Sequence, residues 1–591
     1  MKLLILSLCI IANLSNNGKA SLESFMPTKD NMILADTTKG SDKSCSRPCK
    51  FNVKPRRCTY DFEISPSIEE NGRPALTINN LTPGPAIQVC LHDIVIVKVK
   101  NKVPNQDVTL HWHGVEQKGT PYMDGVPMIT QCPIVFGSTY EYAFIASSPG
   151  TFFYHTDSVS HQSDGVYGSL IVDQPQPLEP HASLYDYDRS EEHTLMVGAK
   201  FNELLTGHLE GVNQIRPDNL VVNGDEMDTK IFVMQGYGYR LRLINAIALE
   251  CPLLINVERH PMTIIASDAN PLQPVITDAV RLYPGERMDV VVRTDQQSGG
   301  YWVRVSGEGV CEGLSAHAML LYSGFNYTTM LEQGPNPESE TNYDTITDSQ
   351  HLPSLREASP VPSVKSVYLS IDKNSPKFKD ADIDFSYRSD AMSKKPFFPA
   401  VLSSVKSVVQ INGKNFLYPD APYLLKPRDV HPNIICNVGE ENEQMEPQCL
   451  QVLKAQANEV IELVLGNEGF NTNDSYTFHM HGQKMQVIAT WQNPKNVPVS
   501  KSEIYKLYSE DIVTRNERNP PLKDTFVVPN KGFTVVRYTP IYGGSWLLEC
   551  RSCSTILPVA ILINVPISIP KLVIDALPSC GNYRPADLLL N

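Results

Sequence analysis

Short apolar runs recur along the chain, and several alternate with polar residues at every second position. Ile87-Gln-Val-Cys-Leu, Val95-Ile-Val-Lys-Val, Tyr140-Glu-Tyr-Ala-Phe, Tyr239-Arg-Leu-Arg-Leu, Asp289-Val-Val-Val-Arg, Val460-Ile-Glu-Leu-Val-Leu and Phe533-Thr-Val-Val-Arg-Tyr are the main ones. They are rich in β-branched and aromatic residues. A period of two puts alternate side chains on one face, so these runs predict strands. With 45 prolines and 34 glycines punctuating them, long helices are not expected. The pattern predicts an all-β protein of several sandwiches.

The runs fall into three blocks, at residues 55–175, 190–325 and 395–570. Residues 326–365 are polar and rich in Pro, Ser and Glu, the composition of a linker. Residues 21–54 read as an N-terminal extension and 571–591 as a tail. Met1-Lys2, the apolar run from Leu3 to Ala12 and Gly18-Lys19-Ala20 together predict a signal peptide over residues 1–20. The run is too short to act as a membrane anchor. The expected location is therefore extracellular.

Charge and cysteine content sharpen this picture. A net charge of −14 argues against nucleic acid or an acidic membrane surface as partner. Of 13 cysteines, Cys9 lies in the predicted signal. The even remainder in an exported chain suggests disulfides, with connectivity left open. Asn80-Leu-Thr, Asn326-Tyr-Thr and Asn473-Asp-Ser are glycosylation sequons.

Two stretches carry histidine pairs, Leu110-His-Trp-His-Gly114 and Phe478-His-Met-His-Gly482. On a strand, residues two apart face one side, so His111 projects with His113 and His479 with His481. Imidazoles suit copper or zinc. Chance surface histidines would explain one pair, less readily two in separate β blocks. A third stretch is Gly150-Thr-Phe-Phe-Tyr-His155-Thr-Asp157. A fourth, Trp546-Leu-Leu-Glu-Cys-Arg-Ser-Cys, is built around Cys550 and contains no histidine.

Further motifs join these: Asn79-Asn-Leu-Thr-Pro-Gly-Pro-Ala-Ile-Gln-Val-Cys, Gly119-Thr-Pro-Tyr-Met-Asp-Gly-Val-Pro-Met, Ile264-Ile-Ala-Ser-Asp, Pro284-Gly-Glu-Arg-Met-Asp and Asp524-Thr. With them, nearly the whole chain after the signal resembles multicopper oxidases, and specifically the laccase-like oxidases of insects. The resemblance implies three cupredoxin-like Greek-key β-sandwich domains. It also implies a blue type 1 copper in the third domain and a three-copper cluster between the first and third. Ten histidines and one cysteine would be the ligands.

Only part of that set is present. By the resemblance, His111 matches a type 2 ligand, and His113, His155 and His481 match type 3 ligands. His479 completes the type 2 pair. The other positions hold Asp157, Tyr476, Glu549 and Arg551. A later histidine position falls near Ser554 or Thr555, and an axial position near Val559. Cys550 alone cannot make the His₂Cys set that a blue copper needs. The candidate residual ligands are His111, His113, His155, His479, His481 and Cys550. Copper is expected in reduced number, down to the type 2 ion alone, or not at all.

Two arrangements compete at the altered positions. In the preferred one, Arg551 occupies former metal space and pairs with Asp157 or Glu549, because buried charges need compensation. In the other, Asp157, His481 and Glu549 form an oxygen-rich site for Zn, Mn or Fe. Cys550 and Cys553 stand three apart, so along a strand they face opposite ways and a direct bridge requires a turn. Separate disulfides or a free buried thiol are the other options.

The function expected is that of a secreted laccase-fold protein without oxidase activity, a binding or regulatory pseudoenzyme with an extracellular ligand or protein partner. The alternative is a copper-dependent oxidoreductase of diphenols or Fe(II) with a residual type 2 site. A third option is pairing with an active family member. Nothing in the sequence fixes the oligomeric state.

Overall fold

The computed structural model describes residues 45–69, 72–206, 215–335, 343–359, 361, 364–374, 408–438, 448–469, 474–553 and 559–580. The expected signal peptide, most of the N-terminal extension, the Asn473 sequon, the Ser554–Thr555 stretch and the end of the tail lie outside these residues. Asn80 and Asn326 are exposed.

The strands form three pairs of sheets. In the first, Pro74–Ile78, Arg57–Ile68, Ile94–Asn101 and Thr139–Ile145 make one sheet, and Ile87–Cys90, Tyr167–Asp173, Gly150–Thr156 and Leu110–His113 the other. Val95, Val97, Val99, Trp112, Tyr142, Phe144 and Tyr154 fill the space between them. Two six-stranded sheets enclose the second core. The third core contains Phe478, Trp546 and Leu548 and lies between a six-stranded and a seven-stranded sheet.

One strand lies within the expected linker and another runs on from its last residue. Ile346–Thr347 pairs with Ala279–Leu282 and so belongs to the second unit. Lys365–Asn374 pairs with Ile461–Asn467 in the third unit, 30 residues before the start expected at 395. Its alternating Leu369 and Ile371 are fully buried, but polar neighbours mask them in the composition.

The chain's described ends are also tied down. Cys45–Cys58 and Cys49–Cys90 pin residues 45–54 to the first unit. Val573 and Leu577, one helical turn apart, enter the core of that same unit from the expected tail. Cys132–Cys580 fastens them there.

Buried ion pairs join the second unit to the third. Both Arg287 terminal nitrogens donate to Asp524, at 2.6 Å each. Lys523 lies 2.9 Å from both Asp268 and Glu286. Charges this deep are tolerated because each has its opposite in contact.

Candidate metal centre

Strand register brings the histidines together. Leu110–His113 runs antiparallel to Gly150–Thr156, with His111 directly opposite His155. Tyr476–Met480 lies between Thr525–Val528 and Gly544–Cys550, with His479 opposite both Thr525 and Glu549. The first and third units then meet so that His111 Nε2 and His479 Nε2 are 3.2 Å apart. His113 Nδ1 is 3.1 Å from His155 Nε2. All five histidines are buried.

Backbone carbonyls fix the orientation of the first pair. His111 Nδ1 lies 2.8 Å from the Asp124 carbonyl, and His479 Nδ1 lies 3.1 Å from the Asp524 carbonyl. Each Nδ1–H donates to its carbonyl, so each Nε2 presents a lone pair to the other. Gly125 makes the first contact feasible. Its φ is +86°, and a Cβ there would stand 1.7 Å from the Leu110 carbonyl oxygen. Only glycine lets the Tyr-Met-Asp-Gly turn press against the histidine strand.

Two facing lone pairs need a cation or a proton between them. A proton is disfavoured. Burial lowers the affinity of His479 to about 4, and the charge of His481 adds to this. Burial and His481 lower His111 as well. The donor set therefore fits a metal ion that accepts imidazole nitrogen, copper included. His111, His113 and His155 also place their nitrogens within 4.8 Å of one another.

His481 is different. Its Nδ1 lies 2.9 Å from Asp124 Oδ2 and its Nε2 3.0 Å from Glu549 Oε1. Burial opposes its charge, but these two carboxylates raise it to about 10. His481 is thus an imidazolium donating on both sides. Burial works against ionised Glu549, yet His481 and Arg551 hold its carboxyl far below the usual range.

Arg551 continues this alternation of charge. It lies 3.3 Å from Glu549 Oε1 and 4.0 Å from Asp157 Oδ1. Its other terminal nitrogen donates to the Thr156 carbonyl at 3.0 Å and to Gln162 Oε1 at 2.7 Å. Asp157 accepts from the Tyr418 hydroxyl at 2.9 Å. Burial and the Glu549 charge push the Asp157 carboxyl up to about 6, against the pull of Arg551. Asp124, His481, Glu549, Arg551 and Asp157 therefore form a chain of opposite neighbours. His481 and Glu549 face each other at 3.0 Å, and Asp157 accepts from Tyr418 through Oδ2 while its buried Oδ1 has no hydrogen-bond partner.

The position of a type 1 copper does not fit that ion. Cys550, a candidate ligand by sequence, is bonded to Cys553, with a Cα–Cα distance of 5.4 Å. The strand ends at Cys550 and the chain turns at once, which overcomes the opposite facing of residues three apart. Tyr476 is buried in the same core. Among the described residues, all twelve cysteines outside the predicted signal are paired, the remaining bridges being Cys251–Cys311 and Cys436–Cys449.

Several site residues escaped sequence reading. Asp124, Arg287, Asp524 and Thr525 stand inside motifs noted for resemblance, and that was their only signal. Tyr418 reaches Asp157 from 261 positions away, with no local signature at all.

Family models described as multicopper oxidase match residues 63–177, 187–324 and 418–552. An L-ascorbate oxidase of Cucurbita maxima is 27% identical over 537 residues, 83% of this chain and 87% of its own. Laccase-25 of Oryza sativa subsp. japonica is 27% identical over 525 residues, 82% of this chain and 88% of its own. A solved laccase from Botrytis aclada superposes with a TM-score of 0.69 at 22% identity, covering 90% of this chain and 96% of that one. Fet3p, a multicopper oxidase that functions in iron import, gives 0.65 at 20% identity, covering 85% and 90%. At these identities the structural likeness establishes the fold.

Proposed function

From the premise that this chain belongs to the multicopper oxidase family, we propose that it is an extracellular binding or regulatory protein without oxidase activity. The observation that carries this reading is the Cys550–Cys553 bond. A cysteine whose sulfur is bonded to another sulfur has no thiolate to offer a blue copper. Tyr476, Glu549 and Arg551 support the same reading. They stand where the resemblance expects one type 1 histidine and the two histidines that flank the cysteine.

The remaining residues hold the centre in shape. His481 keeps a proton between Asp124 and Glu549. Arg551 fills the space beside His155 and fastens the third unit to the first. An extracellular location is supported by the signal-like start and by the disulfides, which persist in oxidising compartments. No described helix is long and apolar enough to cross a membrane.

The test combines metal analysis, visible and paramagnetic resonance spectra and oxygen uptake with phenols or Fe(II) on purified protein. The expected result is no blue band, no oxygen-coupled turnover and one copper at most. Oxygen uptake in the presence of a phenol would overturn the reading.

A second reading rests on the opposed Nε2 atoms of His111 and His479. These two residues would hold a single copper, which supplies one-electron redox chemistry when bound. If the protein is an oxidoreductase, turnover must disappear in His111→Ala. Turnover that survives this substitution removes the second reading.

A further inference from the structure

The function proposed above uses the Cys550–Cys553 bond only as the reason no thiolate is free for a blue copper, and leaves the pair's own chemistry unassigned. It differs from the other bridges in the size of the loop it closes. Five bridges span separations of 13, 41, 448, 60 and 13 residues, and this one spans 3. The stabilisation a bridge gives by restricting the unfolded chain grows with loop length. Cys550–Cys553 therefore adds least to the fold, and its spacing is that of dithiol pairs that cycle between oxidised and reduced forms.

The two sulfurs also differ in environment. Cys550 is buried in the third core, whereas Cys553 sits partly exposed in the turn beyond the strand. An incoming thiolate therefore reaches Cys553 first. Ser552 Oγ lies 3.7 Å from Cys550 Sγ. The two residues inside the bridge hold the domain junction together. Arg551 bonds Thr156 and Gln162, and Ser552 donates to Glu250 of the second unit.

We propose that Cys550–Cys553 is a thiol–disulfide exchange site for a dithiol reductant. One sulfur of the reductant bonds Cys553 Sγ, the Cys550–Cys553 bond breaks, and Cys550 leaves as a thiolate. The second sulfur of the reductant then attacks the first and releases Cys553. The reductant ends as its own disulfide. Two electrons and two protons pass to Cys550 and Cys553. Reduction also frees the loop that carries Arg551 and Ser552. The inference stands whether or not His111 and His479 hold copper.

The test uses the full-length protein with a metal chelator, so that copper-catalysed thiol oxidation does not enter. It is equilibrated in a graded series of reduced and oxidised dithiothreitol, alkylated and mapped by mass spectrometry. The expectation is that Cys550 and Cys553 become reduced at a reduced-to-oxidised ratio about tenfold lower than any other bridge requires. Reduction together with the other five, or after them, overturns the proposal. Two variants then test the direction of attack. With oxidised glutathione, Cys550→Ser, which leaves Cys553, forms the mixed disulfide about tenfold faster than Cys553→Ser, which leaves the buried thiol. Equal rates, or the reverse order, overturn attack at Cys553. Oxidase activity in the same preparation would remove the function proposed above and leave this inference untouched.

Discussion

Arg551 donates to the main-chain carbonyl of Thr156 across 3.0 Å of space and 395 residues of chain. The contact joins the third unit to the first one residue beyond His155. It places a permanent cation beside histidines that would otherwise attract a metal ion. The same guanidinium neutralises Glu549 and faces Asp157, so one side chain balances two buried carboxylates.

Removing that cation leaves Asp157 without a facing cation and Glu549 with His481 alone. Arg551→Ala is expected to destabilise the protein by about 3–5 kcal/mol, the usual range for breaking a buried pair from one side. Arg551→Lys keeps the charge but not the fork that spans Thr156 and Gln162, and should lose about 1–2 kcal/mol. Denaturant unfolding of the three proteins checks the order.

His481 titrates in the alkaline range. Burial opposes its proton, and Asp124 and Glu549 outweigh burial to give about 10, against 6.5 ordinarily. A folded value above the unfolded one means stability that is complete below 6.5 and is lost as pH rises towards 10. Metal-free protein should therefore lose on the order of several kcal/mol between pH 7 and 10. In His481→Gln that slope should be smaller, a difference read from unfolding curves at successive pH values.

Asp157 acts in a lower window. Burial and Glu549 raise its carboxyl from 3.8 to about 6, so the native state holds a proton that the unfolded chain has released. Stability from this group is present below 3.8 and declines as pH rises to about 6. Asp157→Asn should abolish a loss of roughly 2–3 kcal/mol across that interval.

Copper retention should depend on the opposed histidine pair and on what orients it. His111→Ala or His479→Ala should abolish tight binding of one copper, measured by metal analysis after dialysis. Asp524→Asn should weaken it by about 10–100-fold, because Arg287 and Asp524 hold the strand whose carbonyl orients His479.

The Cys132–Cys580 bridge closes a separation of 448 residues and holds the Lys571–Ala576 helix against the first core. Replacing both cysteines by serine should cost about 2–5 kcal/mol. Faster proteolysis after residue 565 would show that the helix has come loose, and unchanged proteolysis would count against this role.

Much of the architecture was readable in advance because its signals are local. Alternation in Val95-Ile-Val-Lys-Val and Phe533-Thr-Val-Val-Arg-Tyr marks strands, since the pleat has a period of two whatever lies around it. The strand at Lys365–Asn374 falls between the expected linker and the expected third block, because Ser, Lys and Asp flank its buried residues and dilute the apolar alternation. The joining of His111 with His113, and of His479 with His481, followed from spacing alone.

The sequence by itself determined the all-β class, the histidine pairs and the identities at Asp157, Tyr476, Glu549 and Arg551, because these depend on residues close together in the chain. Only the tertiary structure decided which partner each charge has. Tyr418 meets Asp157, Arg287 meets Asp524, and Arg551 faces Thr156, in each case at a sequence separation of 237 or more. It likewise decided that Cys550 bonds Cys553, because a turn of two residues outweighs the alternation of a strand. Electrostatic compensation acts through space at a few ångströms, and sequence order carries no record of it until the sheets have packed.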